Sequence, residues 1–292
     1  MTDVDVVCVG DPFLDLIFLG LPAFPALGEE RLAQRLKIVP GGMGNVAFAL
    51  RRLGLEAVIC APKGRDLAGR LLAELMADVG VPWHGRPAEA TPVTVALPVD
   101  GDRALVSLMP QPAVDAETLR GMTMRAVVVD LPSVPLVLPL AVGSGARVYA
   151  VVGDPEVAAM AGQLPPSLAD VRALVLNERE AIGLTGRSGA RSAATQLASL
   201  GTTVVVTRGA DGVLAVELDG GVIEVPARAA HVADATGAGD LFVSAYVWAD
   251  LAGLDLEERL GLATTYASLS LERATDTLKG ITAAELEEIV AR

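Results

Sequence analysis

Apolar residues recur along the chain in two alternating rhythms. Short unbroken runs rich in Val, Ala and Leu occupy residues 4–9, 57–61, 126–130, 148–152, 173–176 and 203–207. Between most of them lie stretches whose apolar positions repeat with a helical period, at 46–53, 67–79, 134–142 and 190–200. A mainly apolar stretch at 241–251 also has helical character. Strands apolar along their whole length are covered on both faces, and strands that alternate with helices pair in parallel. The pattern therefore predicts an α/β fold whose largely parallel sheet lies between layers of helix. Neither a Pro/Gly/Ser linker nor an internal repeat divides the chain, so a single domain spanning 1–292 is expected.

Residues 15–38 and 92–108 break this alternation with short β-like stretches. Those at 94–99 and 103–108 are joined by Asp100-Gly101-Asp102, which is hairpin chemistry. Antiparallel strands inserted beside a parallel sheet can form a flap over the strand ends, where open α/β sheets bind ligands. An ordinary edge hairpin fits the same residues.

Composition narrows the class. Of 292 residues 52% are hydrophobic but only 3% aromatic, so the core must be built from Ala, Val and Leu. Thirty-six acids against 23 bases leave a formal charge of −13, with no basic cluster. That balance argues against nucleic acid or an anionic membrane as a partner, although local amides and a metal can still hold a nucleotide's phosphates. Cys8 and Cys60 both lie in apolar strand-like runs and read as buried thiols rather than a disulfide or metal pair. The first ten residues lack the basic and apolar regions of a signal peptide. The apolar segment 126–142 contains Asp130, Pro132, Pro135 and Pro139 and falls short of the about 20 residues of a membrane span. A soluble cytoplasmic protein is expected.

The most informative segment is Asp234-Ala235-Thr236-Gly237-Ala238-Gly239-Asp240, placed directly before the helical stretch. Glycines ahead of a helix N-terminus make an anion site from free backbone N–H groups. Asp240 puts a carboxylate beside it. An anion hole with an adjacent carboxylate suits phosphoryl transfer to a hydroxyl: the amides hold negative charge and the carboxylate takes the hydroxyl proton. A helix start with one first-turn acid is the plainer account of the same residues.

Four further segments carry polar chemistry. Gly10-Asp11-Pro12-Phe13-Leu14-Asp15 follows the first strand, and its two carboxylates are good acceptors for sugar hydroxyls. Pro40-Gly41-Gly42-Met43-Gly44-Asn45 precedes a helix ending at Leu53-Gly54, with Asn45 offering both a donor and an acceptor or serving as a helix cap. Asn177-Glu178-Arg179-Glu180 opens a helix, and Thr207-Arg208-Gly209-Ala210-Asp211-Gly212 is a strand-ending turn. There is no dinucleotide fingerprint and no Gly-x4-Gly-Lys-Ser/Thr loop. His84 and His231 lack metal-ligand spacing, and Trp248 reads as core.

In order and spacing these segments, together with Gly64-x-Asp66-x-x-Gly69, resemble the ribokinase-like, or PfkB-type, carbohydrate and nucleoside kinases across essentially the whole chain. The resemblance implies a ribokinase-like three-layer fold with a small β lid from segments within 12–38 and 92–108. It implies ATP and magnesium, with Asp240 as general base and Gly237, Ala238 and Gly239 as the anion hole. Asp11, Asp15, Gly42 and Asn45 then bind the acceptor. Asn177, Glu180, Thr207, Gly209 and Gly212 serve the nucleotide, and Glu180 supports magnesium through water. Asp234 and Thr236 match positions that hold a monovalent cation in some relatives, which puts potassium among the expectations. A homodimer paired through the lid is another.

The chain departs from the family pattern twice. Only two residues separate Gly42 from Asn45, and the Asp-x-Asn-x-Arg stretch of several sugar kinases is reduced to Asp154-Pro155-Glu156-Val157. The acceptor is expected to be a small neutral sugar, with a nucleoside as the alternative. A non-catalytic sugar or nucleotide sensor is the competing class, and the intact Asp240 and glycines speak against it.

Overall fold

The computed structural model describes residues 2–99, 102–110, 116–160, 162–228, 236–272 and 278–290. Strands β1 (Thr2–Val9), β2 (Pro12–Leu19) and β3 (Arg35–Gly42) lead into helix α1 (Met43–Arg52). Next come β4 (Ala57–Cys60), β5 (Lys63–Gly64), α2 (Leu67–Asp78), β6 (Trp83–His84), β7 (Pro87–Ala88), β8 (Val93–Val99) and β9 (Asp102–Leu108). The middle of the chain gives α3 (Ala116–Leu119), β10 (Met122–Asp130), α4 (Val134–Gly143), β11 (Arg147–Val151) and α5 (Asp154–Met160). It continues with β12 (Ala173–Asn177), α6 (Glu178–Thr185), α7 (Ala190–Ala198) and β13 (Thr203–Thr207). The last elements are β14 (Val213–Val216), β15 (Val222–Val225), α8 (Ala238–Leu251), α9 (Leu256–Leu271) and α10 (Ala283–Val290).

The main sheet has the order β15-β14-β13-β12-β11-β10-β1-β4-β6. It is parallel from β13 to β6, with β14 and β15 added antiparallel at one edge. Successive residues of β1 serve opposite faces: Val6 and Cys8 join one apolar cluster, Val7 and Val9 the other. Helices α1, α8 and α9 cover the first face, and α4, α6 and α7 the second. The expected three-layer α/β fold is present, and both cysteines are buried and unpaired with each other. The largest fully buried side chains include Tyr149, Tyr246 and Tyr266, so three tyrosines supplement the aliphatic core. No described helix is long and apolar enough to cross a membrane.

A second sheet of order β3-β2-β8-β9 stands apart from the main one. The 94–99 and 103–108 stretches form its antiparallel β8–β9 hairpin, rather than an edge of the main sheet. Its base is tied down by Asp66, whose carboxylate accepts from Gly69 N (2.9 Å), Thr91 N (3.1 Å) and Thr91 Oγ1 (2.6 Å) just ahead of β8. Gly64 and Gly69 are needed there: a Cβ on Gly64 would lie 1.8 Å from Thr91 Oγ1, and one on Gly69 would lie 2.1 Å from Gly64 O.

Three boundaries differ from the sequence expectation. Gly41 and Gly42 are not a free glycine turn, because the β2–β3 ladder runs on to pair Phe13 with Gly41 and Pro12 with Gly42. Helix α1 therefore starts at Met43, which places Asn45 inside the first turn rather than at the cap. Helix α8 starts at Ala238, so Asp240 also belongs to a first turn. Helix α9 escaped the periodicity altogether, because it buries Arg259, Thr264, Ser268 and Ser270 among its apolar residues and so has no clean apolar stripe.

One ionic hub braces the far end of α8. Asp250 is 2% exposed and accepts from Arg172 Nη2 (2.9 Å), Arg259 Nη1 (2.7 Å) and the Tyr149 hydroxyl. Arg147 Nη1 adds an ion pair at 3.2 Å. These cationic donors hold the Asp250 carboxyl down to about 2 despite burial.

Candidate active site

Two helix starts meet at the centre of the candidate site. Asn45, in the first turn of α1, donates from Nδ2 to Asp240 Oδ2 at 2.9 Å, in the first turn of α8. Ser244 locks the helices in this register, donating to Asp240 O (2.7 Å) within α8 and lying 3.2 Å from Val46 O in α1. The first bond within α8 runs from Leu241 N to Gly237 O (3.1 Å), so the N–H groups of Ala238, Gly239 and Asp240 precede it and have no intrahelical acceptor. They are the positive end of a 14-residue helix dipole.

The two motif glycines differ in kind. Gly237 is left-handed at φ +77°, and a Cβ there would lie 2.3 Å from Asn45 Nδ2. Gly239 is exposed and helical, and a Cβ there would meet nothing within 4 Å. The backbone demands Gly237, whereas at Gly239 only an occupant of the cleft would notice a side chain.

The second sheet supplies the facing wall. Asp15 opposes Val39 and Ile17 opposes Lys37 across the β2–β3 ladder, so these four share one face. They line a cleft with Pro40, Asn45, Thr236, Gly237, Asp240, Leu278 and Lys279. Gly41 is the close-approach glycine of this wall, because a Cβ there would fall 2.0 Å from Asp15 Oδ2. Gly42 does not line the cleft. It turns the chain into α1 at φ +53° against Asp11 O and the Phe13 ring.

Burial pushes the Asp240 carboxyl up to about 6, opposed by the Asn45 hydrogen bond and the charge of Arg103. Burial raises Asp15 to about 7, helped by Asp240 and opposed by Lys37 and Arg103. A carboxyl poised near neutrality in such a cleft is suited to taking a proton from a bound hydroxyl.

Asp11 faces elsewhere. Burial, with the charge of Glu156, raises it to about 6, and Asp130 is raised well above its ordinary value by burial, Glu156 and Asp11. Glu180 rises to about 7, mainly through burial, with Asp154 and Glu156 adding to it. Asp11, Asp130 and Glu180 lie at the carboxyl ends of the parallel strands β1, β10 and β12, with β11 between the last two, where such sheets bind ligands. Among the described residues no three acids converge closely enough to hold a bare metal ion.

Asn177 and Glu180 form a reciprocal capping box, with Glu180 N donating to Asn177 Oδ1 (2.9 Å) and Asn177 N donating to Glu180 Oε2 (2.7 Å). Thr207 ends β13, and the turn after it carries left-handed Gly209 (φ +57°) and Gly212 (φ +80°). A Cβ on Gly212 would fall 2.1 Å from Val225 O, whereas Gly209 borders open space. Asp234 lies outside the described residues. Sequence reading missed Lys37 and Lys279, 5% and 4% exposed, because nothing in a local pattern brings residues 37 and 279 to the same cleft.

Comparison with known proteins bears on the family and the fold. The family described as pfkB family carbohydrate kinase matches residues 4–281. The "Bifunctional protein HldE" of Halorhodospira halophila is 30% identical over 98% of this chain, and the chain spans only 63% of that relative's length. In fold, the chain is similar to an Arabidopsis thaliana ribokinase solved with ribose and ATP (TM-score 0.80, 23% identity, all of both chains). It is also similar to the ribokinase of Thermotoga maritima (TM-score 0.79, 21% identity, 99% of this chain and 100% of that one). With the family's extent running through both sheets and past α9, the chain belongs to the pfkB carbohydrate kinases, phosphotransferases with an alcohol group as acceptor.

Proposed function

We propose that the protein transfers the γ-phosphoryl group of ATP to a hydroxyl of a small neutral sugar bound between β2–β3 and the head of α8. The observation that carries this reading is the lining of the cleft. It combines two carboxylates, two ammonium groups and the Asn45 amide, a charge-balanced set rich in hydroxyl partners. Neither Phe, Tyr nor Trp is among the lining residues, so a nucleoside base would lack the aromatic wall on which stacking depends.

In this reading Asp240 accepts the proton of the attacking hydroxyl, and its raised affinity for protons keeps it basic near neutrality. Asp15 and Asn45 orient the acceptor. The N–H groups of Gly237, Ala238 and Gly239 receive charge that develops on the transferring phosphoryl. The nucleotide runs along the carboxyl ends of β12 and β13, past Asn177, Thr207, Gly209 and Gly212. Burial and the charge of Glu156 raise the proton affinity of the oxygen donors Asp11, Asp130 and Glu180, and a cation's arrival would favour their ionised forms. That donor set fits magnesium held through water and phosphate, with Glu180 as the nearest support. When bound, magnesium neutralises phosphate charge. The β2-β3-β8-β9 sheet acts as a lid over the acceptor. The exposed Leu36, Leu105, Val106 and Leu108 on its strands support pairing with a second copy, which light scattering would detect as a dimer.

The test is an ATP-consumption screen across ribose, fructose, other hexoses, ketodeoxygluconate, sugar phosphates and the common nucleosides. A neutral sugar is expected to give the highest kcat/KM. A nucleoside well above every sugar would overturn the acceptor assignment, and ATP consumption with none of them would favour a sensing role.

A further inference from the structure

Lys279 occupies an unusual place for an ammonium group. It is 4% exposed, yet it lines the cleft beside Gly237 and Asp240. Its Nζ donates to the backbone oxygen of Thr236 at 3.3 Å. Burying an ammonium is costly unless its partners repay it, so a lysine held here is a built feature. Its backbone is pinned on both sides. Leu278 packs against the Ile17–Val39 cluster of the second sheet, and Tyr266 donates to Ile281 O at 3.0 Å. Gly280, at φ +143°, passes under that tyrosine hydroxyl, which a Cβ would approach to 3.0 Å.

The Thr236 carbonyl and the Gly237 N–H are two ends of one amide. A cation on the oxygen draws electron density along the peptide and makes the N–H a stronger donor. It also fixes the peptide's direction where Gly237 turns left-handed and the helix begins. Thr236 was expected to help hold a free monovalent cation. Its oxygen is instead engaged by a resident one, and a potassium ion on the same atom would stand against a fixed positive charge. The Thr236 oxygen, held by Lys279, does not fit an exchangeable ion.

We propose that Lys279 is a tethered monovalent cation that orients and polarises the Thr236–Gly237 peptide of the anion hole, so that turnover does not depend on potassium. Lys279 is on this account a positioning residue. The inference rests on reading the head of α8 as the phosphoryl site, and its test separates the two.

Wild-type protein is assayed with potassium, sodium or tetramethylammonium chloride at equal ionic strength, using the acceptor that emerges from the screen. Equal kcat in all three is expected, and a rise of about fivefold or more with potassium would overturn the proposal. Lys279→Met should lower kcat about tenfold or more, up to the about 10²–10³-fold that outright loss of one anion-hole donor costs, while KM for ATP changes little. Lys279→Arg should recover most of that rate, and added ammonium or potassium should partly rescue Lys279→Met. A Lys279→Met protein that keeps near wild-type kcat sinks the idea. If that variant does not fold, the wild-type salt series still decides. Should no acceptor be turned over, the kinase reading fails separately, and the Gly237 amide remains a probe. Its proton resonance should shift upfield in Lys279→Met, stay near the wild-type position in Lys279→Arg and be indifferent to potassium in the wild type, and the reverse pattern refutes the tethered cation.

Discussion

Asn45 and Asp240 are separated by 195 positions in the chain and by 2.9 Å in space, with the Asn45 amide donating to the Asp240 carboxylate. The bond joins the first turns of α1 and α8. It also favours the ionised form of Asp240 against burial, which pulls the other way. The Asp240 carboxyl, the base of the proposed mechanism, is therefore tuned by a residue distant in the sequence.

Replacing Asp240 by Asn should leave folding and nucleotide binding intact and lower kcat by about 10²–10⁴-fold, the usual cost of losing a general base. Steady-state kinetics alongside titration with a nonhydrolysable ATP analogue checks this. Near wild-type turnover would remove Asp240 from the mechanism.

The pH profile follows from the same carboxyl. Asp240 must be ionised to accept a proton, and it is held at about 6 rather than 3.8. The rate should climb as pH rises through about 6, and Asn45→Ala, which removes a hydrogen bond that lowers this value, should move the midpoint upward. A wild-type rate already flat from pH 5 upward would contradict the assignment.

Stability without ligands should run the opposite way. Asp11 and Asp240 are raised to about 6, and Asp15 and Glu180 to about 7. Between their unfolded values and these, the native state binds more protons than the unfolded state, so their contribution falls as pH rises across roughly 4 to 7. Asp250, lowered to about 2, contributes above its unfolded value and loses that contribution only as pH falls towards 2. The melting temperature of the nucleotide-free protein should decline between pH 5 and pH 8, less steeply for Asp15→Asn. An unaltered slope in that variant would show that Asp15 titrates normally.

The two glycines should separate structure from chemistry. A Cβ at Gly239 meets nothing within 4 Å, so the melting temperature of Gly239→Val should stay close to wild type while kcat falls about 10²–10³-fold. Gly237→Ala must relieve a 2.3 Å approach to Asn45 Nδ2 in a left-handed backbone, so it should lose stability and activity together. A fully active Gly239→Val would mean that no phosphoryl group sits at that position.

Acceptor binding together with an ATP analogue should slow amide exchange in residues 12–38 and 92–108, because a lid must exclude water to prevent ATP hydrolysis. Protection confined to the main sheet, with these segments unchanged, would show that the second sheet does not close.

At the other end of α8, Asp250→Ala leaves three arginines and Tyr149 without their shared acceptor. Breaking a buried pair typically costs about 3–5 kcal/mol, which denaturant unfolding would register as a lower midpoint. A midpoint within error of wild type would mean that solvent already satisfies these groups.

The sequence by itself determined the layers. Unbroken Val and Leu runs need cover on both faces, and alternation with helices makes the strands parallel, so the α/β architecture was legible from period alone. It also made the glycine-headed start of α8 legible, because Gly237, Ala238, Gly239 and Asp240 are contiguous and their signal is local. The 94–99 and 103–108 hairpin could be read, but not the sheet it joins. What the tertiary structure decided is everything made by distant residues. The Asn45–Asp240 bond, the Asp15 wall facing it and the Asp250 hub with Arg147, Arg172 and Arg259 have no local signature. Lys37 and Lys279 look like surface lysines in sequence, because long-range packing alone withdraws an ammonium from water and aims it at a backbone oxygen such as that of Thr236. The same holds for α9, whose buried polar residues hide it from a hydrophobic period. Period and motif are properties of neighbours in the chain, whereas a site is a property of neighbours in space.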